Sequence, residues 1–192
     1  MARMPAGSTG RRLLCVAPLL PVGGVDTLLT AFGMLAGDRP DLTLEVVGGG
    51  PLSRVLRTHA DYLGVAERVR FRGPLAAPAV RGAVHGCAVL VLPHRDDGVA
   101  AGSSAEVALL EARATACPVV ATSRAAAQPT SLYAGLVVPP GTPTVLAQAV
   151  ESALDAPVRA DRYEGAGTSA TTILRSDRGG HLLTRAWHRV LR

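Results

Sequence analysis

Short apolar runs alternate with amphipathic stretches along most of this chain. RLLCVA at 12–17, LTLEVV at 42–47, VRFRG at 69–73, AVLVLP at 88–93, VVA at 119–121 and GLVV at 135–138 have the length and branched composition of strands. Between the first two, Val25, Leu28, Leu29, Phe32 and Leu35 fall at helical spacing, and Gly37 is a natural stop. Further helices are predicted over about 52–63, about 77–86 and 143–154. In the stretch 106–122, Val107, Leu110 and Ala114 carry a helical run. Pro118 disfavours α geometry at Cys117, so the helix stops there and a buried strand follows at once. Residues 155–179 are polar and Gly-rich without periodicity and read as a loose linker. A last helix, about 180–191, places Leu182, Leu183, Trp187 and Val190 on one side. Six strands alternating with helices predict an α/β fold with a doubly wound, parallel, Rossmann-like sheet, in which ligands bind outside the carboxyl ends of the strands. The expected organisation is a disordered leader at 1–10, one domain over 11–154, the linker, and a helix within 180–192 that packs back on the domain.

Composition narrows the class. A chain of 192 residues is enough for one α/β domain with a real core and too short for two. With 48% apolar and 18% charged residues it is globular rather than disordered. All 20 basic residues are Arg, and with the abundant Ala, Gly and Pro this reads as a GC-rich coding sequence. No basic run exceeds two residues and aromatics are 3%, which argues against a nucleic-acid surface. Cys15, Cys87 and Cys117 are odd in number, far apart and beside apolar runs, so buried reduced thiols in a cytosolic protein are expected. The opening MARMPAGSTGRR lacks the apolar core of a signal peptide, and no run is long enough to span a membrane. The expectation is a cytoplasmic protein, with peripheral contact at a membrane left open.

Several positions carry candidate chemistry. Gly48, Gly50 and Pro51 lie between a strand and a helix, where Gly-rich backbone either approaches a ligand or makes a plain turn with positive φ. Glu111 sits on the helix that leads into the 119–121 strand. His94-Arg95-Asp96-Asp97 follows the central strand, but no partner motif supports a metal site, so a solvated loop is expected and no metal. His59, His85, His181 and His188 have no partners at ligand spacing and are expected to be structural or exposed.

RLLCVAPLLPVGGVDTLLTAF, VVGGGPL, LGVAERVRFRG, LLEARATACPVVAT and GLVVPPGTP occur in order along residues 11–192. In that order the chain resembles the C-terminal, nucleotide-sugar-binding half of retaining glycosyltransferases of the GT-B fold, group 1 type. The resemblance implies that Glu111 holds the donor ribose, that the backbone at Leu75 meets the base, and that Gly48 and Gly50 lie beside the nucleotide. It places Glu106 and Val107 in the donor-binding segment as well. The same resemblance exposes departures. Pro18 and Gly23 stand where the family has an Arg and a Lys for the pyrophosphate, and Ser103 stands where it has a sugar-holding Glu. Glu106 adds negative charge where the phosphates dock. Arg72, Arg95 or Arg124 are the cations that could compensate. The implied function is the donor half of a sugar transfer from a nucleotide-diphosphate sugar, with no further cofactor and with the acceptor half supplied by a partner subunit or another glycosyltransferase. The alternative is a catalytically inactive binding or partner module. In either case the isolated chain is expected to be inactive.

Overall fold

The computed structural model describes residues 11–95, 103–122, 135–155 and 172–173. Strands β1 (Arg12–Val16), β2 (Thr43–Val47), β3 (Val69–Gly73), β4 (Val89–Leu92), β5 (Val119–Thr122), β6 (Leu136–Val138) and β7 (Thr172–Ile173) form one parallel sheet in the order β3-β2-β1-β4-β5-β6-β7. Five helices accompany them: α1 (Val25–Ala36), α2 (Ser53–Tyr62), α3 (Ala77–His85), α4 (Ser104–Ala114) and α5 (Pro143–Asp155).

The period-2 alternation of each strand sorts its side chains onto two helical layers. Leu13, Cys15, Leu44, Val46, Val89 and Val91 point to the layer of α1, α2 and α5, where Phe32 and Leu146 are wholly buried. Leu14, Val16, Leu90, Leu92, Val119 and Ala121 point to the layer of α3 and α4. Helices on both faces leave the central strands dry on each side, which is why they read as continuous apolar runs.

Among the described residues Thr27, Glu45, His94 and Thr122 are the polar residues buried in that core. Glu45 of β2 is 6% exposed and is held by Arg12 Nη1 at 2.8 Å and Arg72 Nη1 at 3.1 Å, while Arg12 Nη2 donates to the Ala83 carbonyl at 2.7 Å. A buried carboxylate with two guanidinium partners is tolerated; the same carboxylate without them would be costly.

Two expectations change. The seventh strand, β7, falls inside the stretch read as a loose linker, because a two-residue strand is too short to leave a periodic signal. On α4 the buried residues are Ala105, Ala108, Leu109 and Ala112, while Leu110 is 57% exposed. The small alanines, not the larger Leu110, fit the close approach to the sheet and α3. The disordered leader and the helix at 180–191 lie outside the described residues. Among the described residues no helix is long and apolar enough to cross a membrane.

Candidate functional site at the carboxyl ends of the strands

Strand order reverses between β1 and β4, so the crevice of a doubly wound sheet opens above their carboxyl ends. The segments bordering it are Ala17–Leu20 after β1, Gly48–Pro51 after β2, Pro93–Arg95 after β4, and the start of α4.

The loop after β1 is closely packed. It tightens into a 3-10 turn at Pro21–Gly23, and Gly24, at φ 64°, starts α1. A Cβ on Gly23 would run into the Pro18 carbonyl oxygen, and one on Gly24 into that of Pro93. A lysine at position 23 therefore does not fit this loop as it stands. The neighbouring glycine turn is bound to the same loop: Leu19 N donates to Gly49 O at 2.9 Å and Leu52 N to Leu19 O at 3.1 Å. Gly48 and Gly50 have φ of 146° and 155°, and the Ala17 and Leu19 carbonyls occupy the space a side chain would need. Backbone packing accounts for both glycines without a ligand.

Arg95 is the cation the fold brings to the switch point. Its backbone N–H donates to Val22 O at 2.8 Å, and its guanidinium reaches Asp26 Oδ2 at 2.5 Å, Thr27 Oγ1 at 3.1 Å and Pro21 O at 3.2 Å. Both partners of the Arg95–Asp26 pair are more than a third exposed, so the pair is worth at most about 1 kcal/mol and can rearrange cheaply. Arg72 is engaged with Glu45 instead, and Arg124, like Asp96 and Asp97, lies outside the described residues. His94, expected in a solvated loop, is 7% exposed, and its carbonyl accepts from the buried Thr122 hydroxyl.

At the start of α4, Ser103 is the N-cap: its Oγ accepts from Glu106 N at 3.2 Å. Ser103-x-x-Glu106 is the sequence form of a capping box, and Glu106 also complements the helix dipole from the first turn. The helix end where an anion would dock is thus already furnished with a hydroxyl and a carboxylate. Val107 and Leu75 are half-buried and pack against the α3–α4 core.

Glu111 has a side-chain partner that its local sequence does not announce. Its Oε1 lies 2.6 Å from His85 Nε2, the last residue of α3, near the end of α4 that leads into β5. His85 closes α3 just before β4 and Glu111 lies in the second half of α4 before β5, so the pair ties the two helices together. Two of the cysteines meet just ahead of β4 and β5. Cys87 and Cys117, thirty residues apart, bring their sulfurs to 3.3 Å, while Cys15 lies alone in the core with its thiol pKa pushed up by burial. Among the described residues no cluster of three or more His, Cys, Asp or Glu is placed to hold a metal.

Sequence reasoning missed two of these features. The capping box was legible as S-x-x-E but was read only as misplaced charge. The cysteine contact depends on β4 and β5 being neighbours, which spacing alone cannot reveal.

A parallel sheet with this strand order and helices on both faces defines a doubly wound, Rossmann-like α/β domain. The chain belongs to the glycosyl transferases group 1 family, which it matches over residues 10–156. It is 36% identical over 132 residues to a GDP-mannose-dependent alpha-(1-6)-phosphatidylinositol monomannoside mannosyltransferase of Mycobacterium tuberculosis, covering 66% of this chain and 34% of that protein. The chain therefore spans about a third of that relative's length. Among solved structures it is similar to the C-terminal domain of a glycosyl transferase group 1 family protein (LpcC) from Francisella tularensis, with TM-score 0.61 and 20% identity over 82% of this chain and 80% of that one. It is also similar to HepE of Anabaena in complex with UDP-glucose, with TM-score 0.62 and 21% identity over 77% of this chain and 40% of that one. At these identities the structural likeness is one of fold, the C-terminal half of a GT-B glycosyltransferase.

Proposed function

We propose that this chain is the donor half of a glycosyltransferase, recognising a nucleotide-diphosphate sugar weakly and requiring an acceptor domain for transfer. The observation that carries the proposal is the crevice above β1 and β4 on a group 1 glycosyltransferase domain. Its weakness follows from what borders it. Gly23 has no room for a cationic side chain, Pro18 offers none, and Ser103 and Glu106 occupy the start of α4. Arg95 is the cation in reach, and a phosphate would have to compete with Asp26 for it.

Removing one preorganised charge-stabilising group typically costs about 100-fold or more in rate. Two such groups are replaced here, so the isolated chain should show no measurable transfer. No metal is needed for the proposed binding. GDP-mannose and UDP-glucose, named for a relative and a structural neighbour, are the first donors to try.

The test is titration calorimetry of the chain with both sugars, followed by a transfer assay with and without a separately expressed acceptor domain from a relative. Weak binding, and transfer only with the added domain, support the reading. Transfer by the chain alone would overturn it. Weak binding with no transfer under either condition would favour the second reading, an inactive partner module, which the capped α4 terminus also supports.

A further inference from the structure

We propose that Cys87 and Cys117 form a redox-active dithiol at the amino end of the sheet, a site that closes reversibly into a disulfide joining the entries to β4 and β5. The two sulfurs are 3.3 Å apart with no other cysteine near them, since Cys15 lies in the opposite core layer. Each cysteine sits two residues ahead of a strand, and the two strands are parallel neighbours with Leu90 opposite Val119. That register sets Cys87 one residue off Cys117, so a strand spacing of about 4.8 Å and a rise of about 3.3 Å put their Cα atoms roughly 6 Å apart. A disulfide accepts Cα separations of about 4.4–6.8 Å, so closure needs little backbone movement.

The local backbone is built to aim Cys117. Helix α4 ends in a Schellman-type turn in which Cys117 N donates to Ala112 O at 2.9 Å, and Ala116 adopts φ 54°. Ala116 is the one non-glycine residue with positive φ among the described residues, in a position where glycine is the usual choice. Strained backbone of this kind persists where the surroundings hold it, and here it turns the Cys117 side chain back toward Cys87.

Charge favours reactivity. Arg12 bonds the Gly86 and Ala83 carbonyls, which brings its guanidinium beside Cys87. The two sulfurs are within hydrogen-bond reach, and either thiol can donate to the other. That hydrogen bond lowers the Cys117 pKa and raises that of Cys87, and Arg12 favours ionisation of both. A thiolate beside a guanidinium is the reactive form of cysteine.

With hydrogen peroxide as oxidant the chemistry balances in two steps. The Cys117 thiolate attacks a peroxide oxygen, giving a sulfenic acid and, after protonation, one water. The Cys87 sulfur then attacks the sulfenic sulfur and its thiol proton leaves with the departing hydroxyl as a second water. Two thiols lose two electrons and two protons, and the peroxide is reduced. A dithiol reductant reverses the bond by exchange. The loop so closed contains β4, α4 and the crevice residues His94, Arg95, Ser103 and Glu106, so oxidation would tether the unit that borders the donor site.

The experiment treats the whole chain with graded hydrogen peroxide, alkylates the remaining thiols, and maps tryptic peptides with and without prior reduction. The expected product is an intramolecular cross-link between peptides 82–95 and 114–124, reversed by dithiothreitol, with Cys15 alkylated only after denaturation. Oxidation should also raise the melting temperature by several degrees in the wild type and not at all in Cys117→Ser or Cys87→Ser. If either variant fails to fold, the wild-type cross-link and its reversal decide alone. Independent over-oxidation of the two cysteines, or cross-links between chains, would overturn the proposal. So would survival of all three thiols at peroxide levels that oxidise a low-pKa control thiol.

Discussion

The two ends of the sheet differ in how their polar groups are used. At the amino end, Arg12 reaches Glu45 and the Ala83 carbonyl, His85 meets Glu111, and Cys87 lies against Cys117. At the carboxyl end, where a doubly wound sheet binds its ligands, the loops are held mainly by backbone contacts, and the described cation is tied to Asp26. Among the described residues Arg95, the cation at the crevice, is committed to Asp26, while the other end holds the paired sulfurs and the His85–Glu111 contact. A fold of this kind does not by itself fix what its crevice binds.

The largest effect should come from breaking the amino end. Arg12→Met leaves Glu45 buried with Arg72 alone and removes the donor to Ala83, so a loss of about 3 kcal/mol is expected in urea unfolding. A double variant, Arg12→Met with Glu45→Met, should recover most of that loss, because an apolar pair replaces a carboxylate left short of partners. No recovery would mean that the ion pair itself, not the stranded charge, sets the cost.

Next in size is the crevice loop. Gly23→Lys adds the charge that the family resemblance implies there, yet its Cβ meets the Pro18 carbonyl, so a loss of about 2 kcal/mol is expected without a gain in diphosphate affinity. A stable variant with tighter diphosphate binding would show that the loop opens readily.

Ala116→Gly relieves the left-handed residue that ends α4. It should raise stability by about 0.5–1 kcal/mol while slowing peroxide closure of the dithiol, since the turn becomes freer to move. The smallest effect is expected from Glu111→Gln. The His85–Glu111 pair is exposed on the histidine side, so about 0.5 kcal/mol is at stake, and guanosine affinity should not change. A large drop in guanosine affinity would return Glu111 to the ribose-binding role that the family resemblance implies.

Most of the fold was legible because it rests on local signals. Continuous branched runs such as Val89–Leu92 and the stops at Gly37 and Pro118 mark elements before any contact is known, and their boundaries fall within a residue or two of those observed. β7 was illegible because two residues carry no period. The site was harder. The local sequence of Glu111 does not announce its contact with His85, which is distant in sequence. The closed loop at Gly23 is a matter of what stands next to it, Pro18 O, and no spacing records that.

The most direct test of the account compares guanosine with GDP, and uridine with UDP, by calorimetry on the intact chain. A site with preorganised phosphate cations gains charge-assisted bonds with each phosphate. The crevice described here, with Gly23 closed, Ser103 and Glu106 capping α4, and Arg95 held by Asp26, should bind each nucleoside and its diphosphate within tenfold of each other, about 1.4 kcal/mol. A diphosphate bound more than tenfold tighter, with the gain lost in Arg95→Gln, would contradict the account and make Arg95 a working phosphate holder.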